Sequence, residues 1–200
     1  MTNNNAALII FVRNPEPGKV KTRIGAVAGN HVALAIYCKL LQHTRDITID
    51  LAADKYVYYA DKINAHDLWN QDHYYKAKQE GPDLGTRMHT AFSTLFQKGY
   101  EKVCIIGSDC YELTGNLIHR AFEELNNADI VIGPALDGGY YLLGMNDGVK
   151  DIFSDIAWST SKVLEQTLDK LQGRYTYTLL PALPDIDTLQ DVPTSWLRHV

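Results

Sequence analysis

The feature that most constrains this chain is an alternation: short, continuous apolar runs of strand length are separated by longer stretches with helical period. The first run, Ala6–Val12 (AALIIFV), has no polar member, so a strand there must be buried on both faces, as inside a parallel sheet. Asn14-Pro15 and Pro17-Gly18 end it. From Asn30 to about Ile47, Val32, Ile36 and Leu40, with Ala33, Tyr37 and Leu41 beside them, recur at helical spacing. Tyr56–Ala60 and Tyr74–Lys78 read as the next strands. Leu84, Met88, Ala91, Phe92, Leu95 and Phe96 make one helical face, closed by Gly99.

Lys102–Gly107 (KVCIIG) is the clearest central strand and stops at Ser108-Asp109; Leu117, Ala121 and Leu125 mark the helix after it. Asp129–Gly133 and Tyr140–Gly144 are strand runs joined by the turn Leu136-Asp137-Gly138-Gly139. Ser159 or Thr160 is expected to cap a helix carrying Val163, Leu164, Leu168 and Leu171. Tyr175–Leu180 reads as a last strand, followed by Pro181, Pro184 and a short terminal helix. Strands separated by helices predict an α/β fold with a mainly parallel sheet covered on both faces, plus an antiparallel hairpin at 129–144. Such sheets bind ligands beyond the carboxyl ends of their strands.

A length of 200 residues predicts one domain spanning 1–200, large enough to bury a core without disulfide or metal staples. A net charge of −5 argues against nucleic-acid or anionic-membrane partners, because a phosphate backbone needs a basic face. Cys38, Cys104 and Cys110 are odd in number and form no CxxC pair, which fits a reducing cytoplasm. The terminus Met-Thr-Asn-Asn-Asn has no positive charge before an apolar run too short to span a membrane. The seven histidines form no zinc pattern.

Chemistry should therefore be sought just after the strands. The segment Arg13–Arg23 holds Arg13, Lys19, Lys21 and Arg23, four of the chain's 19 basic residues in 11 positions, directly after the first strand and before a helix. Exposed backbone N–H groups, Lys ammonium and Arg forks suit a phosphate or diphosphate, and Gly18 lets the backbone approach it. Neither GxxxxGK[ST] nor GxGxxG is present, and a basic solvated loop is the competing reading. Asp109 follows the central strand, where a carboxylate is either a ligand for Mg²⁺ or Mn²⁺ or a turn residue. As a ligand it is expected to stand unpaired beside Asp187.

Asp137, with Gly138, Gly139 and Tyr140, is either a plain hairpin turn or a substrate site where the Asp holds a hydroxyl or acts as base. Asp187 is either a second metal carboxylate or a helix cap. In the loop 79–87, Asp83, Gly85 and Arg87 either touch a nucleotide or make a turn and a capped helix. Trp158 offers an aromatic wall or a buried anchor. Cys110 is a weak nucleophile candidate, since no histidine lies near it in sequence.

Taken in order, FVRNPEPGKVKTRIG, GPDLGTRM, IGSDCYEL, GPALDGGYYLLG, WST and DIDTLQD resemble a bacterial family of glycosyltransferase-A-fold proteins known as arsenosugar-biosynthesis or selenodomain-associated transferases. The likeness spans about residues 7–191. It implies the three-layer nucleotide-diphospho-sugar transferase fold and a divalent-metal-assisted enzyme moving a sugar from a nucleotide diphosphate donor to a small acceptor. It places Lys19 and Arg23 at the phosphates, Asp109 at the metal-holding Asp of a DXD-like element, and Asp187 as a second carboxylate at Mg²⁺ or Mn²⁺. Two departures stand out: the element is Ser-Asp-Cys, with one carboxylate, and Tyr111 stands where such families often have Pro. The alternatives are a guanylyltransferase-like nucleotidyltransferase acting on a phosphorylated small molecule, and a non-catalytic nucleotide-binding protein.

Overall fold

A computed structural model describes residues 5–146 and 152–197. The Ala6–Val12 run forms β1, an interior strand of a seven-stranded sheet. Its side chains alternate between two cores. Leu8, Ile10 and Val12 join the cluster containing Ile24, Ile36, Leu40 and Ile118, while Ala7 and Ile9 join the cluster of Met88, Phe92, Leu95 and Leu171. A strand buried on both faces has to be apolar at every position, which is why the run lacks alternation. Leu8, Ile9 and Ile10 are fully buried, each contributing roughly 1.5–3 kcal/mol of transfer free energy.

The other strands are β2 (Asp54–Tyr59), β3 (Tyr74–Lys78), β4 (Lys102–Ile106), β5 (Ile130–Pro134), β6 (Tyr140–Met145) and β7 (Tyr177–Leu179). Their order is β3-β2-β1-β4-β6-β5-β7. β1 pairs in parallel with both β2 and β4, and β5 with β7, whereas β6 runs antiparallel between β4 and β5. The expected parallel sheet with one antiparallel hairpin is therefore present. Helices α1 (Thr22–Ala28), α2 (Asn30–Thr48) and α4 (Gly115–Glu124) cover one face; α3 (Leu84–Gln97) and α5 (Val163–Leu171) cover the other. This gives three layers.

The structure corrects several local expectations. Strand β2 starts at Asp54 and ends at Tyr59. A separate helix α1 absorbs Thr22 and Arg23, the end of the segment expected to be a basic loop. Ser159 and Thr160 do not cap α5: its N-cap is Lys162, without a side-chain bond, and Thr160 instead bonds Ala157 O and Lys162 N in a local turn. The last strand shrinks to three residues at the sheet edge, where only one neighbour holds it. The short terminal helix is a 3₁₀ turn, Leu189–Asp191, followed by α6 (Thr194–Leu197). The first four residues of the terminal Met-Thr-Asn-Asn-Asn reading lie outside the described residues. No helix among the described residues is long and apolar enough to cross a membrane.

Candidate functional site

Topology puts the chemistry in one place. The chain leaves β1 toward β2 on one side and returns to β4 on the other, so the loops after β1 and β4 diverge and open a crevice. The first loop carries the basic segment, and the second carries Gly107-Ser108-Asp109. Tyr37, buried on α2, ties them together. Its hydroxyl accepts from Arg13 N at 2.8 Å, donates to Arg13 O at 3.2 Å and lies 3.3 Å from Ser108 Oγ. Burial, partly opposed by the Ser108 bond, holds this phenol protonated far above the ordinary tyrosine range. Buried Asn14 makes a second brace: it accepts from Asp61 N and Lys62 N and donates to Lys62 O at 2.8 Å.

The resulting cleft, of about 620 Å³, is lined by Arg13, Gly18, Lys19, Asp61, Gln79, Arg87, Ser108 and Asp109 among others. Gly18 has φ +78, a conformation that favours glycine. Lys19 is open to solvent and meets Glu16 at 2.7 Å. Arg87 donates Nε to Gly81 O at 2.9 Å, which fixes its stem beside the cleft. A second cleft, about 410 Å³, is lined by Arg23, Asp137, Gly139, Tyr140, Trp158, Asp185 and Asp187. Between them a smaller recess of about 210 Å³ holds Arg13, Lys19, Lys21, Arg23, Asp109 and Asp187 together.

Not every expected contact faces these clefts. Asp83 caps α3, accepting from Thr86 N and Thr86 Oγ1, each at 2.8 Å. Gly85 lies under Trp158, and a Cβ there would sit 2.4 Å from the indole nitrogen. Its smallness therefore serves packing against the aromatic wall. Gly138, at φ +91, is pressed against the Ser161 backbone, so it shapes the turn that presents Asp137, whose Oδ1 accepts from Gly139 N at 2.8 Å. Asp187 is not a helix cap: Thr188 caps the 3₁₀ turn through a capping box with Asp191, leaving Asp187 to face the recess. Cys110 is buried and its thiol pushed up to about 12, chiefly by burial, which leaves it unreactive at neutral pH.

Lys21 and Asp109 depart most from expectation. The Lys21 side chain is 6% exposed, and its ammonium donates to Ile186 O at 2.6 Å, lies 2.7 Å from Asp109 Oδ1 and 3.8 Å from Asp187 Oδ1. Asp109 is therefore ion-paired where the sequence reading expected an unpaired carboxylate. Oδ1 nonetheless lacks a well-aligned hydrogen bond, so the pairing is one of charge and proximity. Arg23 Nη1 donates to Asp187 Oδ2 at 3.2 Å.

Sequence reasoning passed over Asp185, which lies two residues before Asp187 and lines the second cleft. The Asp-Ile-Asp spacing in an extended segment was the available signal, since residues i and i+2 share a side. Burial first, then the carboxylates of Asp109, Asp137 and Asp187, push Asp185 up to about 7, with Lys21 acting in the opposite direction. The sign for stability follows. An unfolded Asp ionises near 3.9, so between about pH 4 and pH 7 the folded chain holds the extra proton and loses stability as pH rises. Asp185→Asn removes that cost, and on the order of 2 kcal/mol of stabilisation is expected above pH 7. Melting curves should show a gain at pH 8 that vanishes at pH 4; a pH-independent change would exclude the ionisation as its cause.

The donor set can be tested against the divalent cation expected from the sequence. Asp109 and Asp187 offer hard oxygen donors and already converge on one cation, the Lys21 ammonium. Four carboxyl groups, Asp109, Asp137, Asp185 and Asp187, gather around Lys21 and Arg23. No group of three or more His, Cys, Asp and Glu among the described residues forms a ready cage. Mg²⁺ is commonly held by one or two carboxylates, with water and substrate phosphates completing its shell. The residues present fit that mode of binding.

Comparison with known proteins follows the same lines. The profile of a family described as uncharacterized proteins conserved in bacteria, DUF2064, matches residues 43–160. A provisionally named nucleotide-diphospho-sugar transferase from Desulfovibrio desulfuricans G20 is 36% identical, with 92% of this chain and 83% of that chain covered and a TM-score of 0.84. The fold alone is shared with a 4-diphosphocytidyl-2C-methyl-D-erythritol synthase from Anaerococcus prevotii DSM 20548 (10% identity, 93% and 92% covered, TM-score 0.56). It is shared likewise with the inositol-1-phosphate CTP transferase from T. maritima (12% identity, 94% and 92% covered, TM-score 0.55). The observed sheet is thus that of the nucleotide-diphospho-sugar transferase structures. Among curated proteins none matches the sequence significantly.

Proposed function

The chain belongs to the bacterial family DUF2064, and from that premise we propose that it is a transferase moving a sugar from a nucleotide diphosphate donor to a small acceptor. Within that family it is read as an arsenosugar-biosynthesis or selenodomain-associated type of transferase, working as one domain. The observation that carries the reading is the meeting of the basic loop after β1, Asp109 after β4 and Asp187 after β7 around one recess between two clefts. The name of the Desulfovibrio relative supports it.

The nucleotide occupies the larger cleft, with Arg13, Lys19 and Arg87 toward its phosphates. Tyr37 and Asn14 hold the loops in place, so the donors are set before substrate arrives. The acceptor occupies the second cleft against Trp158 and Tyr140, where Asp137 holds its attacking hydroxyl and receives the proton. Mg²⁺ or Mn²⁺, held by Asp109 and Asp187, would supply positive charge against the departing diphosphate. Arg23 stands between recess and second cleft, placed to steady the same charge from the other side.

The test is turnover by purified protein with Mn²⁺ and a panel of nucleotide sugars. Slow release of nucleoside diphosphate is expected, as the donor hydrolyses without its acceptor. Pyrophosphate release from a nucleoside triphosphate, with nucleotide sugars inert, would instead favour a nucleotidyltransferase, whose phosphoryl chemistry the same cleft suits. Tight nucleotide binding with no turnover and no response to EDTA would favour a non-catalytic binder.

A further inference from the structure

Three basic side chains of one short segment are treated very differently by the fold. Lys19 and Arg23 are 64% and 74% exposed, whereas Lys21 is 6% exposed and turned inward. Lys21 takes a left-handed backbone conformation, φ 46 and ψ 47, just before α1. Its ammonium ends among oxygens of two distant segments: Asp109 after β4, and Ile186 and Asp187 after β7. Those two carboxylates are the pair assigned above to a divalent cation, and both remain partly open to solvent, at 49% and 43%. An ammonium this close to both carboxylates and a metal ion bound to the same oxygens would repel each other strongly, so the two cations exclude one another.

Resting on the transferase reading above, we propose that Lys21 is a tethered counter-ion for the metal seat, which a divalent ion enters only when a diphosphate draws the ammonium away. Lys suits this exchange because its charge is compact and its four-carbon stem is flexible. The small recess gives it a second destination, since Arg13 and Lys19 line the same space and mark where phosphate oxygens are expected. Without nucleotide, Lys21 neutralises Asp109 and keeps a buried oxygen from standing alone. With nucleotide, the ammonium binds phosphate and the two carboxylates bind metal. Metal and diphosphate then promote each other's binding, and the coupling must be reciprocal.

Mn²⁺ titration followed by electron paramagnetic resonance of the free ion tests this without any activity measurement. Wild-type protein alone is expected to bind Mn²⁺ more weakly than about 1 mM. Lys21→Met should tighten that binding by about tenfold or more, because the competing charge is gone. Lys21→Asn, whose side chain tolerates the left-handed backbone better, should do the same and guards against a folding defect in the Met variant. Adding UDP or GDP should tighten Mn²⁺ binding by a larger factor in wild type than in either variant. Wild-type protein that holds Mn²⁺ alone as tightly as the variants overturns the proposal, whether or not nucleotides bind. Nucleotides that bind neither wild type nor variants overturn the transferase reading instead, and the metal-alone titration still decides the role of Lys21.

Discussion

Asp109→Asn is expected to lower metal-dependent turnover of a nucleotide sugar by about 100-fold or more, the scale on which loss of one charge-stabilising group acts. Asn keeps the shape of the side chain and can make a similar backbone turn, but it lacks the charge that a hard cation requires. Stability should respond far less. Lys21 loses one partner yet keeps Ile186 O and the Asp187 carboxylate. Because Asp109 is about half exposed, the loss is expected to be about 1 kcal/mol or less. An unpaired carboxylate would have predicted a rise in melting temperature; the ion pair predicts a small fall. Near-parental turnover with an unchanged Mn²⁺ response would remove Asp109 from the chemistry.

Gly138→Ala should be the most destabilising small substitution near the site. Gly138 has φ +91, and a Cβ there would lie 2.2 Å from Ser161 O, a backbone atom that cannot swing aside. Gly99 provides the control, with φ +92 and nothing within 4 Å of its Cβ position. Gly99→Ala isolates the backbone penalty, about 1 kcal/mol, whereas Gly138→Ala adds a forced separation of the hairpin turn from the 159–161 loop, about 3 kcal/mol or more in total. That displacement would also carry Asp137 away from Trp158 in the second cleft, so acceptor-side function should fall with stability. Equal melting temperatures for the two variants would show that the turn does not press on Ser161.

Much of the fold was legible because burial leaves periodic traces. A strand enclosed on both faces must be apolar throughout, and Ala6–Val12 and the 103–106 run meet that requirement. Asp-Gly between two strand runs marks a hairpin because the turn needs positive φ, and Gly138 supplies it. What the sequence concealed depends on contacts between distant segments. Helix α1 was missed because it buries one residue, Ile24, and carries Gly25 inside it and Gly29 at its end, which leaves almost no periodic signal. Tyr37 reads as a core position on α2, and nothing local shows that its hydroxyl ties the two site loops together.

The site was legible in outline and not in assignment. Lys19, Lys21 and Arg23 look equivalent in a basic run, yet the fold turns only Lys21 inward, at a residue with left-handed backbone. Asp187 looked like a cap until Thr188 took that task. The role of Gly85 belongs to Trp158, 73 positions away in the chain, a contact that no local pattern encodes.

The central claim, that a nucleotide diphosphate binds where the β1 loop meets Asp109 and Asp187, is tested most directly by calorimetry on the wild-type protein. Nucleoside, nucleoside diphosphate and nucleotide sugar should be titrated with and without Mn²⁺. Binding is predicted to strengthen sharply from nucleoside to diphosphate and again with Mn²⁺, and to weaken at high salt, since Lys19 is open to solvent. Equal affinities for nucleoside and diphosphate, or no binding of any donor at millimolar concentration with metal present, would contradict it.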